Sequence, residues 1–237
     1  MPAVRPPTPR AFLAIPCVVA ATIIAATAAM IAAAFSPRGR AVDFITYWWA
    51  RFIALVSGLE VSASGMERVP AGRSCVVVSN HQSHLDAIAL VLSSPVPLRM
   101  LGKKSLFRIP IFGWGMRMAG HIPIDRFQGR TDFEALQRSC RSLYELGRSI
   151  SIFPEGTRSS DGRLLPFKQG AFHIARNLGL PIVPASVRDT RTVLPARTFR
   201  FRKGRATVTW HEPIDPHEMS VEDLAERVRG IIEEDLE

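Results

Sequence analysis

A histidine and an aspartate five positions apart have the residue types and spacing for proton transfer. His81 and Asp86 lie at either end of a short polar stretch, residues 81–86. A neutral imidazole accepts a proton well near pH 7, and a carboxylate on its other nitrogen fixes the tautomer and stabilises the cation that forms. The pair therefore has the chemistry of a general base. An accidental spacing is the alternative, because the chain has six histidines and short motifs recur by chance.

The elements around this pair decide whether the two side chains can meet. The β-branched run at 75–78 predicts a buried strand, and the apolar run at 87–92 predicts a helix. His81 would then lie in the turn between them. Residues five apart in one continuous helix point about 140° apart, so the pair would not touch there. The two meet if His81 precedes the helix and Asp86 lies in its first turns.

Length, composition and charge narrow the class of protein. The chain has 237 residues, enough for one domain with a sizeable core. Its net charge is +9 although ten acids and two arginines lie from Glu212 onward, so the preceding body is strongly basic. Such a body attracts phosphate as nucleic acid, anionic lipid or a phosphorylated small molecule. The three cysteines have neither metal-ligand nor redox spacing, which predicts reduced, buried thiols in a cytoplasmic compartment and no metal or cofactor site.

The first fifth of the chain predicts contact with a membrane. Residues 12–35 carry no charge, and a helix of that length would span roughly 36 Å, enough to cross a bilayer core. A cleaved signal peptide is the alternative, because Arg5 and Arg10 precede the run. Residues 42–56 predict a second helix, whose central Tyr-Trp-Trp sequence suits either the membrane interface or a buried core.

Two glycine-containing stretches look like nucleotide-binding motifs, but each lacks a glycine that its motif requires. The sequence GKKS at 102–105 would end a P-loop, but Pro97 stands where that motif needs its first glycine. Residues 109–120 lack the third glycine of a dinucleotide fingerprint, because Met118 occupies its place. The second stretch predicts either core packing or an apolar groove for a hydrocarbon chain.

A third stretch, residues 154–159, follows a predicted strand at 149–153. Its Gly156, Thr157 and Arg158 predict a compact anion cradle, because glycine lets the backbone approach and a guanidinium binds phosphate in bidentate fashion. An ordinary polar turn is the alternative.

The remaining chain continues the alternation of helices and strands. A capping-box spacing at 131–134 opens a helix whose apolar face comprises Phe133, Leu136, Cys140 and Leu143. Residues 180–187 predict a buried strand. The chain ends in an amphipathic helix with Val221, Leu224, Val228 and Ile231 on one face.

The basic stretch at 191–205 bears on the choice of phosphate partner. It has six basic residues, no acid and two aromatic residues, Phe199 and Phe201. Binding to single-stranded nucleic acid would predict more interleaved aromatics. Beside an N-terminal membrane segment, anionic lipid headgroups fit better, so no nucleic-acid partner is expected.

Four blocks together resemble the phospholipid-synthesis acyltransferase family, most closely the 1-acylglycerol-3-phosphate acyltransferases. They are NHQSHLD (80–86), GHIPIDR (120–126), FPEGTRS (153–159) and LPIVP (180–184), in the family's order. The blocks GKKSL (102–106) and LPFKQGAF (165–172) add to the likeness, which covers roughly residues 76–187.

The resemblance implies a fold and an activity. The expected fold is α/β, a central, mostly parallel or mixed sheet flanked by helices, as in glycerolphosphate acyltransferases. Residues 1–58 would form a membrane-associated helical pair and residues 59–237 the catalytic domain, on the cytoplasmic face of a bacterial inner membrane. The activity implied is acyl transfer from acyl-CoA or acyl carrier protein to the 2-hydroxyl of lysophosphatidic acid, giving phosphatidic acid. The absence of a G-x-S-x-G elbow agrees with direct attack by the acceptor alcohol.

The same resemblance implies roles for individual residues. His81 would be the base and Asp86 its orienting partner, with His84 as a competing imidazole. The acceptor phosphate would be held by Lys103, Arg126 and Arg158, with Lys104 as the competitor of Lys103. Glu155 would shape that site or bind the acceptor's polar part, and backbone amides around Gly156 and Thr157 would stabilise the developing oxyanion.

Two other functions remain open at this stage. The same site would serve an acyltransferase acting on glycerol 3-phosphate, another lysophospholipid or a lyso-aminolipid, because motifs do not encode the shape of the acceptor pocket. A protein of a different class would bind anionic membranes through residues 191–205 without catalysis.

Overall fold

The computed structural model describes residues 9–35, 39–124, 130–196 and 198–237, with side chains described from residue 12 and, after the second gap, from Phe133. Its seven strands form one sheet. They are β1 (Leu59–Ser64), β2 (Val76–Ser79), β3 (Leu98–Lys103), β4 (Ile122–Ile124), β5 (Ser149–Ile152), β6 (Ile182–Arg188) and β7 (Gly204–Trp210).

Helices pack around this sheet. They are α1 (Pro9–Phe35), α2 (Arg40–Ser57), α3 (Leu85–Ser93), α4 (Phe112–Met118), α5 (Arg130–Glu145), α6 (Gly170–Leu178), α7 (Thr190–Val193) and α8 (Val221–Leu236). Short 3₁₀ turns cover Met66–Arg68 and Lys104–Arg108.

The strand order determines where the loops meet. The order is β1-β7-β6-β2-β5-β3-β4, and every neighbouring pair is parallel except β6 with β7. The five strands from β2 to β6 therefore end at one edge, called here the carboxyl edge, where β7 begins. Ligand sites of open α/β sheets lie at this edge. The mixed sheet flanked by helices confirms the predicted fold class.

The central strands are apolar on both faces because helices cover both faces. In β2, Val76 and Val78 join the cluster under α5, α6 and α8, whereas Val77 joins the cluster on the other face with Trp210. All four residues of β2 and of β5 are buried. The strand alternation thus ties the motif loops to a fully packed core.

Most predicted elements are observed within a few residues of their expected bounds, and three details differ. In α8 the buried residue is Ile232, while Ile231 is half-buried. Thr131 lies inside α5, which is described from Arg130, and not before its first residue. Cys17 is exposed on α1, against the prediction of buried thiols, whereas Cys75 and Cys140 are buried.

The N-terminal helices form a packed pair. Trp49 Nε1 on α2 donates a 3.1 Å hydrogen bond to Thr22 Oγ1 on α1. Helix α4 also approaches α1 closely, because a Cβ on Gly115 would lie 2.5 Å from the Ala26 Cβ. The pair is thus attached to the rest of the fold, and the division of the chain at residue 58 stays a prediction.

Both helices of this pair expose apolar side chains. Among the described residues, one helical segment is long and apolar enough to cross a membrane, Phe12–Phe35, with a mean hydropathy of 2.3. Only 11% of its most apolar window is buried, which is unlike a core helix. In α2, Ala50 and Ile53 are buried, whereas Phe44 and Trp48 are exposed. Helix α2 is therefore amphipathic: one face is buried against the protein, and the other exposes aromatic residues, whose contact with a membrane interface stays a prediction.

Candidate active site

His81 and Asp86 meet at the carboxyl edge of β2. His81 lies in the loop after this strand, and Asp86 lies in the first turn of α3. The His81 Nδ1 atom is 2.7 Å from Asp86 Oδ2. The Asp86 side chain is fully buried, while the imidazole keeps 16% of its surface exposed. The imidazole therefore faces a buried carboxylate on one side and remains accessible on the other.

Asp86 is held as a hydrogen-bond acceptor by several donors. Its Oδ2 accepts the backbone amides of Gln82 at 2.7 Å and Ser83 at 2.8 Å, besides facing His81. Its Oδ1 accepts the hydroxyl of Thr190. Amide and hydroxyl donors stabilise the charged form of a carboxylate. A carboxylate acceptor on Nδ1 in turn requires the neutral imidazole to carry its proton there, which leaves Nε2 as the proton acceptor.

Two residues of the loop after β5 also hold His81 in place, one through its ring and one through its backbone. The Phe153 ring stacks on the His81 ring with centroids 4.1 Å apart and planes 14° apart. Glu155 Oε1 accepts the His81 backbone amide at 2.6 Å, and Oε2 accepts the Leu165 amide at 3.0 Å. Both Glu155 oxygens thus serve the backbone, which favours the prediction that Glu155 shapes the site.

The burial of Glu155 also changes the pKa of its side chain. It is 5% exposed, and burial raises its pKa to about 7; the two backbone hydrogen bonds oppose this rise, and the charge of Asp86 adds to it. The cost of removing the carboxylate from water therefore exceeds the gain from its two amide donors.

Arg158 and His84 lie beside the pair. The Ser159 amide donates a 2.8 Å hydrogen bond to the His81 carbonyl, which joins the loop after β5 to the loop after β2. Arg158, just before Ser159, is half-buried. Desolvation lowers the pKa of His84 to about 4, with Arg158 and His81 adding to this effect and Asp86 opposing it. His84 is thus a neutral imidazole near a fixed cation, whereas His81 contacts the carboxylate.

Gly156, part of the predicted anion cradle, lies in the same loop. Gly156 has a φ of +71°, in the left-handed region, and a Cβ there would lie 3.3 Å from Lys168 Nζ. The Gly156 amide donates to the Phe153 carbonyl at 3.1 Å, so it closes the turn. Of the two predicted oxyanion donors, Thr157, whose residue is exposed, is the better candidate.

Three other basic residues were considered for the acceptor phosphate, and they differ in position and exposure. Lys103 is exposed at the end of β3, two strands from β2, a lateral distance of about 10 Å at the usual strand spacing. Lys104 follows in the 3₁₀ turn and is half-buried. Arg126 lies outside the described residues, so its predicted phosphate contact stays a prediction.

Comparison with known proteins identifies the family of the chain. Residues 60–188 match the family model described as Acyltransferase, a span that includes the whole constellation from His81 to Arg158. The chain belongs to the acyltransferase family. Among curated relatives, the chloroplast 1-acyl-sn-glycerol-3-phosphate acyltransferases of Brassica napus and Arabidopsis thaliana are 40% and 36% identical over 72% and 82% of this chain. The chain spans about half of their length, 49% and 54%.

A solved structure resembles this acyltransferase over most of both chains. It is the crystal structure of the 1-acyl-sn-glycerophosphate (LPA) acyltransferase PlsC from Thermotoga maritima, with a TM-score of 0.73 and 26% sequence identity. The likeness covers 83% of this chain and 79% of that chain. It supports the family assignment at the level of the fold.

Sequence reasoning missed three residues that the acyltransferase fold brings to the site. Phe153 and Lys168 lie inside blocks that carry the family resemblance, and that position is a signal that could have found them. Thr190 lies just beyond the last block, and its contact with Asp86 has no signature in spacing, because the two residues are 104 positions apart. Among the residues that the structure describes, no cluster of His, Cys, Asp and Glu could hold a metal ion.

Proposed function

We propose that this acyltransferase moves a fatty acyl chain from an acyl thioester to the 2-hydroxyl of lysophosphatidate, giving phosphatidate. The observation that carries the proposal is the 2.7 Å contact of His81 with the buried Asp86, with Arg158 in the adjoining loop. A base beside a fixed cation suits an acceptor that has both a hydroxyl and a phosphate. The names of the chloroplast relatives and of the Thermotoga protein support the same acceptor.

The proposed reaction needs no covalent enzyme intermediate. The acceptor oxygen attacks the thioester carbonyl carbon while Nε2 of His81 takes the hydroxyl proton. The Asp86 carboxylate stabilises the imidazolium that forms. The tetrahedral intermediate then collapses with cleavage of the C–S bond, and the leaving thiolate takes the proton back from His81. The Thr157 amide is the proposed donor to the oxyanion.

Arg158 is the proposed principal contact of the acceptor phosphate. Its guanidinium remains charged at every relevant pH and binds phosphate in bidentate geometry. Lys103 and Arg126 are proposed as further contacts. Because the Ser159 amide bonds to the His81 carbonyl, a phosphate held by Arg158 would lie on the loop that adjoins His81.

We further propose that the N-terminal pair holds the enzyme on an anionic membrane, with the catalytic domain on the cytoplasmic face of a bacterial inner membrane. The exposed apolar surface of α1 and α2 supports membrane contact, and free cysteines among the described residues agree with a reducing compartment. Loop 198–203 reaches the same region, because Phe201 is buried in the cluster that contains Ala14 and Ile53. The adjacent Phe199 is 68% exposed.

This loop also stands at the carboxyl edge, because β7 begins there directly after it. Arg202 and Lys203 are exposed in the loop, and basic residues near a membrane surface are attracted by anionic headgroups. The arrangement would bring the lipid surface and the site to the same side of the molecule. A lysolipid could then reach His81 without crossing bulk water.

A donor-by-acceptor activity matrix tests the proposed reaction. Purified chain receives radiolabelled oleoyl-CoA or oleoyl-acyl carrier protein with lysophosphatidate, glycerol 3-phosphate, another lysophospholipid or a lyso-aminolipid. The proposal expects the highest kcat/KM with lysophosphatidate. A higher value with another acceptor would transfer the assignment to that acceptor. No product in any combination would overturn the enzymatic proposal, and liposome binding without activity would favour the non-catalytic membrane protein.

A charge-matched pair of variants tests the membrane contact. Arg202→Gln removes a charge beside the N-terminal helices, whereas Arg73→Gln removes one from the opposite edge, before β2. With lysophosphatidate presented in anionic vesicles, Arg202→Gln should raise the apparent KM, and added salt should diminish the difference. Equal effects of the two variants would contradict a membrane-facing loop.

A further inference from the structure

Thr190 bonds to the proposed catalytic pair from outside the blocks that define the family resemblance. Its side chain is fully buried, and its hydroxyl donates to Asp86 Oδ1. The other donors described above reach Oδ2 and come from the neighbouring residues 81–83. The two carboxylate oxygens of Asp86 therefore accept hydrogen bonds from two distant parts of the chain.

The segment 187–194 holds Thr190 firmly against the motif loop. On one side of Thr190, the Asn80 side chain exchanges two hydrogen bonds with the Val187 backbone, at 2.8 and 2.7 Å. On the other side, Ser83 Oγ donates to the Leu194 carbonyl at 2.7 Å. The loop that contains His81 is thus bound on both sides of Thr190.

The backbone before Thr190 is also specialised. Asp189 has a φ of +63°, a left-handed conformation that non-glycine residues adopt infrequently. This conformation turns the chain from the end of β6 directly into α7. Because β6 is the parallel neighbour of β2, the turn places Thr190 beneath the start of α3, where Asp86 lies.

We propose that Thr190 is a positioning residue for acyl transfer, acting through Asp86. A carboxylate can rotate about its Cβ–Cγ bond and exchange its two oxygens. The Thr190 hydroxyl fixes this rotation, so that Oδ2 stays on His81 Nδ1 and Nε2 stays the proton acceptor. The inference rests on the proposed base function of His81.

Three substitutions test this role. Thr190→Val keeps the shape and removes the hydroxyl, and we expect it to lower kcat about tenfold or more with the KM for lysophosphatidate unchanged, because base orientation is lost. Thr190→Ser keeps the hydroxyl and should restore most of kcat. Thr192→Val is the matched control on the same helix, since the Thr192 hydroxyl is exposed and donates to the Asp189 carbonyl and not to Asp86; its kcat should match that of the unaltered chain.

A double-mutant comparison separates positioning from general structural damage. If Thr190 acts through Asp86, adding Thr190→Val to Asp86→Asn should cause little further loss of kcat. Unchanged kcat in Thr190→Val, or an equal fractional loss with and without Asp86→Asn, would overturn the inference. If the valine variant does not fold, Thr190→Cys replaces it, with a kcat below that of Thr190→Ser; cysteine at full activity would also overturn the inference. Wild-type inactivity with every acceptor would instead refute the proposed function.

Discussion

Two aspartates, the buried Asp86 and the half-buried Asp43, lie at opposite edges of the sheet and have different partners. Asp86, at the carboxyl edge, faces an imidazole, backbone amides and a hydroxyl. Asp43, in the first turn of α2, lies 2.5 Å from Arg99 Nη2 and 2.9 Å from Arg148 Nη1. Both arginine side chains are at most 9% exposed. Arg99 is the second residue of β3 and Arg148 directly precedes β5, so this second cluster lies at the opposite edge.

The difference in partners explains why one aspartate suits catalysis and the other suits structure. Arginine does not give up its proton in proteins, so no proton moves in the Asp43 cluster. Among the partners of Asp86, His81 carries the imidazole, a group that can take up and release a proton in catalysis. Burial lowers the pKa of Arg99, and the neighbouring Asp43 opposes that effect. Asp43 thus compensates buried charge between α2 and the sheet, whereas Asp86 orients a base.

Replacing Asp86 should give the largest change in activity. Asp86→Asn removes the charge that stabilises the His81 cation, and we expect kcat to fall about a hundredfold or more, the scale of a lost general base. Steady-state turnover with lysophosphatidate measures this loss. Asp161→Asn is the control, because Asp161 is an exposed carboxylate of the loop after β5 and should leave kcat unchanged. Equal kcat values for Asp86→Asn and Asp161→Asn would contradict the catalytic role proposed for Asp86.

Replacing Asp43 should instead affect stability. Asp43→Asn leaves two buried arginines without their carboxylate, and breaking a fully buried pair costs about 3–5 kcal/mol. Because the Asp43 side chain is 20% exposed, we expect a smaller loss, about 2 kcal/mol of unfolding free energy. Denaturant unfolding in detergent micelles measures it, together with kcat of the folded fraction. A loss of kcat as large as that of Asp86→Asn would show that the cluster takes part in catalysis.

Glu155 should make a pH-dependent contribution to the free energy of unfolding. Its pKa is raised from 4.5 to about 7 in the folded chain, so the folded state binds the proton more tightly than the unfolded state. Its contribution to stability is therefore greatest below 4.5 and is lost as the pH rises through 7. Glu155→Gln lacks this titration, and its unfolding free energy relative to the unaltered chain should rise by up to about 3 kcal/mol across that window, because each unit of pKa shift corresponds to about 1.4 kcal/mol. A pH-independent difference between the two chains would contradict the assignment.

The sequence predicted the contact of His81 with Asp86 because both lie in one local unit. A β-branched strand, a polar turn and an apolar helix have strong separate signals, and their order alone brings the pair together. The role given to Glu155 depended on the family resemblance, whereas the residues 156–158 themselves predicted that Arg158 binds an anion. The joining of their loop to His81 depends on the pairing of β2 with β5.

The contacts of Thr190 and Asp43 could not be predicted in this way. Thr190 reaches Asp86 because β6 pairs with β2. The order of strands in a sheet cannot be predicted from the local periodicity of the sequence. Asp43 meets Arg99 and Arg148 because α2 crosses the sheet edge where β3 and β5 begin. The exposed Cys17 was also missed, because an apolar run does not reveal which of its faces the protein covers.

The most direct test of the account compares the two histidines of the motif. His81→Ala and His84→Ala each remove one imidazole from the same loop, but His81 contacts Asp86, whereas His84 has its pKa lowered to about 4 by desolvation and by the nearby Arg158 guanidinium. The measurement is the rate of phosphatidate formation from lysophosphatidate and an acyl thioester. We expect His81→Ala to lose about a hundredfold or more while His84→Ala keeps more than about a tenth of the rate. The reverse pattern, with His81→Ala active and His84→Ala inactive, would contradict the assignment of the base.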